Sequence, residues 1–303
     1  MKAKEFKGAY TALITPMKDN GDVDYEGFRR LIALQIEAGI DGLVPLGTTG
    51  ETPTLDEDEE ERLIKIAVEE TGGRVPLIVG AGSNSTRHMT EYVKRAGDLG
   101  ADAVLVVTPY YNKPNDSGLL RHFEAAASCG LPVIIYNIGS RTGRNIPAGL
   151  LEQIAGIPGI AGVKEASGDL GQMGDIIGNI AGPRRAAGNP FWVLSGDDAL
   201  TLPLLALGGD GLISVISNLI PKKVKALVRS CLEGNYEEAR RLHYEMLPLM
   251  KDAFVEVNPV PIKAAMNLAG LPSGPVRLPL GPLSRESELK LFGTLERLGL
   301  YRK

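Results

Sequence analysis

Short apolar runs rich in β-branched residues alternate with longer amphipathic stretches along most of this sequence, from the N-terminus to about residue 230. Such alternation indicates repeated βα units. The apolar runs predict strands at Tyr10–Thr15, Gly42–Leu46, Pro76–Gly80, Ala103–Thr108, Pro132–Tyr136, Ile160–Glu165, Trp192–Ser195 and Gly211–Ser214. Apolar residues at helical spacing between them predict helices at Tyr25–Ala38, Asp56–Glu70, Thr86–Leu99, Ser117–Ser128, Ala148–Ile154, Leu170–Ile180 and Ala199–Leu207.

Parallel strands of this number, joined by crossover helices, close most naturally into a (β/α)₈ barrel, the TIM barrel. The alternative is a doubly wound sheet, which needs a glycine-rich turn after its first strand to bind a dinucleotide. The residues at that position are Thr15-Pro16-Met17-Lys18, without a glycine. The barrel is therefore the predicted architecture.

The pattern changes after Leu219, where only helical spacing is found. Helices are predicted at Pro221–Glu233, Tyr236–Phe254, Pro261–Ala269 and Ser284–Leu298. We therefore expect a catalytic barrel over residues 1–230 and an appended C-terminal helical segment over residues 231–303.

Charge and hydropathy argue against several kinds of partner. The chain of 303 residues has a formal net charge of −4 and lacks a lysine- or arginine-rich run that would neutralise nucleic-acid phosphates. No apolar run approaches the ~18 residues of a membrane span, and no apolar signal-peptide core follows the N-terminal charges. We expect a cytoplasmic protein that binds neither nucleic acid nor membrane.

Polar residues gather where the predicted strands end, at the face that holds the active site of TIM-barrel enzymes. These strand-end groups are Gly47-Thr48-Thr49-Gly50-Glu51, Tyr110-Tyr111-Asn112, Tyr136-Asn137 with the following Ser140-Arg141-Thr142-Gly143, and Ser195-Gly196-Asp197-Asp198. The C-terminal face of the barrel is therefore the place to look for chemistry.

Lys164 is the most informative polar residue, because it lies within the apolar sixth strand. Strand alternation places it on one face with Gly162 and Ala166, whose small size leaves room for a ligand, while Glu165 points to the opposite face. A desolvated lysine amine loses basicity and becomes a nucleophile for carbonyls. A lysine that reaches solvent from the strand end, or pairs with a carboxylate of another strand, fits the pattern equally well.

The neighbouring candidates are weaker when taken alone. Tyr136 precedes Lys164 by one strand and fits either a core aromatic residue or a proton carrier. Thr48 and Thr49 fit a simple turn, since no lysine follows at the spacing of a nucleotide-binding loop. Arg141 fits a surface charge or a bidentate grip on a carboxylate.

Metal-dependent chemistry lacks a ligand set. The three histidines, His88, His122 and His243, lie far apart in predicted helices, and imidazole or carboxylate clusters are what a catalytic metal needs. We expect no metal and no cofactor.

Several motifs occur together in order: GTTGE, TPYYN, YN followed by SRTG, GVKEASGD, SGDD, GLISV and NPVPIK. Together they resemble the dihydrodipicolinate synthase and N-acetylneuraminate lyase superfamily, most closely its synthase branch. The resemblance covers nearly the whole chain. Lys164 and the Tyr136-Asn137 pair are shared by all branches, whereas Arg141 and the Tyr110-Tyr111-Asn112 group favour the synthases over the sugar-acid lyases.

The resemblance implies a role for each matching residue. Lys164 would form a Schiff base with pyruvate, Tyr136 would be the general acid and base, and Thr48 and Tyr111 would complete a proton relay with it. The remaining implied substrate contacts are Thr49 to the pyruvate carboxylate, Arg141 to the carboxylate of aspartate semialdehyde, and the backbones of Gly196 and Ile213. The implied product is 4-hydroxy-tetrahydrodipicolinate, on the route to diaminopimelate and lysine.

Two alternatives to that reaction stay open. One is cleavage of a 2-keto-3-deoxy sugar acid or sialic acid by the same Schiff-base chemistry. The other is a barrel that binds a keto acid as a sensor without catalysis.

The resemblance also bears on assembly and regulation. The tyrosine matching Tyr111 reaches the neighbouring subunit's site, which implies a homodimer or homotetramer. Gly139 stands where the family usually has proline, which predicts a less rigid loop around Arg141. His88 replaces the glutamate of lysine-inhibited members, although Asn84 and Tyr110 match their pocket. We therefore expect weak or absent inhibition by lysine, unless Glu57 or Glu60 takes the place of that glutamate.

Overall fold

Eight parallel strands form the centre of the molecule in a computed structural model, which describes residues 5–301. They are β1 Gly8–Ala12, β2 Gly42–Val44, β3 Ile78–Gly80, β4 Ala103–Val107, β5 Val133–Asn137, β6 Ile160–Glu165, β7 Trp192–Ser195 and β8 Gly211–Ser214. The hydrogen-bonded order is β2-β1-β8-β7-β6-β5-β4-β3. Backbone bonds from Leu43 N to Pro76 O (3.0 Å) and from Gly80 N to Pro45 O (3.0 Å) join β2 to the β3 side. The predicted (β/α)₈ barrel is confirmed.

The barrel interior is filled by side chains that alternate along the strands. Its buried apolar cluster consists of Phe6, Tyr10, Ala12, Val44, Ile78, Ala103, Leu105, Ile134, Tyr136, Leu194 and Ile213. The Tyr10 ring fills the space beside Gly42, where an added Cβ would lie 2.0 Å from ring atom Cε1. Glycine at that position is what allows the ring to sit inside the barrel.

Helices cover the outside of the barrel. They are α1 Tyr25–Glu37, α2 Glu57–Thr71, α3 Thr86–Asp98, α4 Asp116–Ala127, α5 Gly139–Thr142, α6 Ala148–Ala155, α7 Leu170–Ile176, α8 Gly182–Ala186, α9 Thr201–Ala206 and α10 Pro221–Leu232. Side-chain caps mark several starts; Asp56 and Glu59 form a reciprocal capping box at the start of α2. None of the helices within residues 5–301 is long and apolar enough to cross a membrane.

The C-terminal helices are α11 Tyr236–Asp252, α12 Val260–Leu268 and α13 Arg285–Arg297. Helix α11 packs against α10, and α13 packs against both α11 and α12. The predicted domain boundary after residue 230 falls inside α10, and the division into two domains stays a prediction.

Many element bounds differ from the predicted ones by one to a few residues, and three differences have a clear physical reason. Strand β1 begins at Gly8 and ends at Ala12, although Leu13 and Ile14 beyond it are fully buried. A π-helical turn, Ile177–Ala181, joins α7 to α8 without a break, so this helix runs beyond the predicted end. Helix α5 was not predicted, because four residues are too few to show a helical apolar period.

Candidate active site

Lys164 lies inside the barrel on β6, directly opposite Tyr136 of β5 in the strand register. Its Nζ atom is 4.1 Å from the centre of the Tyr136 ring, and the two residues are 5% and 7% exposed. The small neighbour Gly196 approaches closely, since a Cβ there would lie 3.2 Å from the Lys164 Cε atom. Lys164 is therefore a buried amine beside a phenol, in close contact with the Gly196 backbone.

The charge state of Lys164 follows from this burial. Loss of hydration lowers the pKa of Lys164 to about 7, opposed by the Asp198 carboxylate and assisted by the Arg141 guanidinium. At neutral pH a substantial fraction of the amine is unprotonated, the form that attacks a carbonyl carbon. Burial raises the pKa of Tyr136 to about 12, so its phenol keeps its proton at neutral pH.

Asp198 is a buried carboxylate whose charge raises the pKa of Lys164. It accepts hydrogen bonds from the Ser214 hydroxyl and from the backbone N–H of Val215 (2.9 Å). Burial raises the pKa of Asp198 to about 6, while these hydrogen bonds oppose the rise. The carboxylate is therefore held by its own partners, and its charge raises the pKa of Lys164.

Glu165 lies on the outer face of β6 and does not pair with Lys164. Its carboxylate accepts hydrogen bonds from Asn137 Nδ2 (2.9 Å) and from the Ser167 backbone N–H (2.7 Å). The predicted placement of Lys164 and Glu165 on opposite faces of β6 is confirmed. The Asn137 amide thus links the two strands that hold Tyr136 and Lys164.

Thr49 and Arg141 approach the site from two different loops, and Asn258 contacts both. Asn258 Nδ2 donates to the Thr49 hydroxyl (2.9 Å), and the Asn258 carbonyl oxygen accepts from the Arg141 guanidinium (3.1 Å). The side-chain oxygen of Asn258 is buried without a hydrogen-bond partner within the described chain. Asn258 therefore connects the Thr49 hydroxyl and the Arg141 guanidinium.

The match to known families covers almost the whole chain: the model of the dihydrodipicolinate synthetase family matches residues 5–298. The chain belongs to this family. A 4-hydroxy-tetrahydrodipicolinate synthase of Protochlamydia amoebophila is 49% identical over 96% of this chain and 96% of its own length.

Solved structures of the family are similar as well. The dihydrodipicolinate synthase of Thermotoga maritima has a TM-score of 0.93 at 43% identity, over 98% of this chain and all of its own. The synthase of Cyanidioschyzon merolae, solved with lysine bound, has a TM-score of 0.91 at 42% identity, over 97% and 99% of the two chains.

The structure brings most of the predicted site residues together, but not all. Ile213 lies in the same interior cluster as Tyr136. Thr48 begins a single 3₁₀ turn, Thr48–Gly50, and is partly buried. Tyr111, by contrast, is 90% exposed in the single chain, so it is not packed against Tyr136. Gly139 begins α5, and the guanidinium of Arg141, two residues later, is held by the carbonyl of Asn258.

Asn258 and Asp198 were not assigned a role from the sequence. Asp198 was visible only as part of a polar strand end, and Asn258 only as part of the NPVPIK motif. Because Thr49 and Asn258 are 209 positions apart in sequence, no local signal shows that the two side chains meet.

The pKa of Lys164 can be tested through its reactivity. An amine adds to a carbonyl only when unprotonated, so covalent capture of Lys164 by a small carbonyl compound, followed by borohydride reduction, should rise with pH around a midpoint near 7. Asp198→Asn removes the charge that raises this pKa, and should move the midpoint to lower pH. Mass spectrometry of the Lys164 peptide measures the adduct. A midpoint near the ordinary lysine value of ~10.4 would refute the effect of burial.

Proposed function

We propose that this protein condenses pyruvate with L-aspartate 4-semialdehyde through a Schiff base on Lys164, giving 4-hydroxy-tetrahydrodipicolinate for lysine biosynthesis. The observation that supports this most is the buried Lys164 amine, whose pKa is lowered to about 7 beside the Tyr136 phenol. The name shared by its relatives supports the same reaction. We further propose that the protein acts in the cytoplasm.

The proposed reaction begins when the Lys164 amine adds to the ketone carbon of pyruvate. Loss of water gives an iminium, which withdraws electrons and acidifies the adjacent methyl group. Removal of a methyl proton gives an enamine, which attacks the aldehyde carbon of the semialdehyde. Tyr136 carries protons between these steps, and its high pKa suits a group that must return to the protonated state. The amine of the semialdehyde then displaces Lys164 and closes the ring.

The substrate carboxylates would be bound by the two groups that contact Asn258, the Thr49 hydroxyl and the Arg141 guanidinium. Thr49 would hold the carboxylate of pyruvate, with the backbones of Gly196 and Ile213 lining the same space. Arg141 would hold the carboxylate of the semialdehyde by paired hydrogen bonds. Because its guanidinium is already held by the Asn258 carbonyl (3.1 Å), little side-chain entropy remains to be lost on binding.

The role of Arg141 separates this reaction from sugar-acid cleavage. Arg141→Ala should lower kcat/KM for the semialdehyde by about 10- to 100-fold, since a hydrogen bond to a charged group contributes about 1.5–3 kcal/mol. Adduct formation with pyruvate should change little at pH 9, where Lys164 is unprotonated in both proteins. Steady-state assays of both substrates provide the measurement.

Arg144→Ala is the matched control for that assay, because Arg144 lies on the same loop but pairs with Asp116. It should leave the semialdehyde kinetics close to wild type. Faster cleavage of a 2-keto-3-deoxy sugar acid or sialic acid than condensation would support the lyase alternative. A pyruvate adduct without turnover of any of these substrates would support the keto-acid sensor.

We also propose that Tyr111 acts in the site of a neighbouring subunit, together with Thr48 and Tyr136. Two observations support this: its side chain is 90% exposed in the single chain, and its backbone is held at φ 72°, where a side chain is strained. In this arrangement the active unit is a homodimer, alone or paired into a homotetramer.

Subunit mixing tests that arrangement. Inactive Tyr111→Phe and Lys164→Ala proteins, mixed under conditions of exchange, should recover up to about a quarter of wild-type activity, because each mixed pair of a symmetric dimer regains one complete site. A mixture of Tyr111→Phe with the Tyr111→Phe/Lys164→Ala double variant should stay inactive. If the first mixture is also inactive after exchange is verified, Tyr111 does not act across subunits.

Inhibition by lysine is proposed to be weak or absent. His88 is exposed and supplies no fixed negative charge for an effector ammonium, and Glu60, a possible substitute, is paired with Arg95 instead. Initial rates measured against lysine at saturating substrates should stay close to the uninhibited rate up to millimolar lysine. Half-inhibition below millimolar lysine would contradict the proposal. In that case the inhibition would not depend on a glutamate at position 88, and His88→Glu should leave it unchanged.

A further inference from the structure

Glu51 combines two unfavourable features at the end of the Thr48–Gly50 turn. Its backbone is in the left-handed region at φ 57°, which residues with a side chain rarely adopt. Its side chain is completely buried, at 0% exposure. A buried carboxylate on a strained backbone persists only where surrounding contacts hold it there.

Those contacts come mainly from the C-terminal part of the chain. Lys263 Nζ lies 2.6 Å from the Glu51 carboxylate, is itself only 1% exposed, and is 212 residues away in sequence. The second carboxylate oxygen accepts the backbone N–H of Arg277 (2.8 Å). Lys263 also donates to the Thr15 carbonyl oxygen (3.0 Å), in the loop between β1 and α1. The pair therefore joins three separate chain segments.

The turn itself is held on its other side as well. Asn258 Nδ2 donates to the Thr49 hydroxyl (2.9 Å), and the Thr15 hydroxyl donates to the Gly50 carbonyl (2.7 Å). Thr49, Gly50 and Glu51 are thus each fixed by a residue outside the turn.

We propose that Glu51 and Lys263 are positioning residues: their buried ion pair fixes the turn so that Thr48 and Thr49 face the Lys164 centre. The inference rests on the function proposed above, in which Thr49 binds the pyruvate carboxylate. Loss of the pair should therefore impair the reaction with pyruvate. Binding of the semialdehyde depends instead on Arg141, which contacts the Asn258 carbonyl rather than Glu51 or Lys263.

A purely stabilising role makes different predictions. A buried ion pair can often be replaced by neutral residues without loss of stability, whereas removal of one partner leaves an unpaired charge. A pair that only stabilised the fold would change the unfolding midpoint and leave the kinetics of folded molecules unaltered. The ratio of effects on the two substrates distinguishes the roles.

The experiment compares three proteins with wild type, at a temperature well below their unfolding midpoints. Glu51→Gln removes the charge of the turn, and the Glu51→Gln/Lys263→Met double variant removes both charges, so that no buried charge is left alone. Glu59→Gln is the matched control, because Glu59 pairs with the Arg277 side chain (2.5 Å) in the same region. Rates are expressed per site that borohydride can trap with pyruvate.

Both Glu51 variants should lose at least about tenfold in kcat/KM for pyruvate, since a displacement of about 1 Å can cost a hundredfold. Their KM for the semialdehyde should stay within about twofold of wild type, and so should both constants of Glu59→Gln. The pH midpoint of Lys164 trapping should not move, because the charges that shift the pKa of Lys164 are Asp198 and Arg141.

Normal pyruvate kinetics in the double variant would overturn the proposal, as would equal losses for both substrates. A double variant that fails to fold would also overturn it, because the pair would then be a requirement of the fold. Failure of the proposed function is distinguishable, since wild-type protein would then show no condensation of pyruvate with the semialdehyde, whether or not pyruvate is trapped at Lys164.

Discussion

The structure depends on how the interior of the barrel is filled. Inward-facing side chains from all the strands must share a narrow space, so a large residue on one strand requires a small one on its neighbour. Tyr10 fits because Gly42 has no side chain, and Lys164 fits because Gly196 has none. The same packing excludes water from the Lys164 amine, and this lowers its pKa. Fold and reactivity thus have a common physical origin.

The site is polarised by a small number of charges. Asp198 favours the protonated form of Lys164 and Arg141 opposes it, while burial exceeds both effects. Each of these charged groups is fixed by other partners: Asp198 by Ser214 and Val215, and Arg141 by the Asn258 carbonyl. A field built from fixed groups does not need to reorganise when charge moves during a reaction.

The sequence was sufficient to predict the barrel, because buried parallel strands are apolar throughout and their helices are strongly periodic. The bounds of β6, β7 and β8 agree with prediction. The predicted β1 ran too far, because Leu13 and Ile14 are apolar and buried although they lie beyond the end of the strand. Lys164 was identified as a polar residue in an apolar strand. Asn258 and the Glu51–Lys263 pair were not, since contacts between distant residues leave no local pattern. The roles of the individual site residues stay predictions.

The contacts of the NPVPIK residues also constrain the order in which the molecule is completed during synthesis. When the last strand, β8, has been made, Asn258, Lys263 and Arg277 are still to be added. A nascent chain with every strand present therefore has a GTTGE turn that lacks its C-terminal partners, and the Glu51 carboxylate lacks the Lys263 ammonium. The C-terminal segment, which the sequence analysis describes as appended to the barrel, is thus the last part of the site to be synthesised. The site can be completed only after the ribosome has translated this segment.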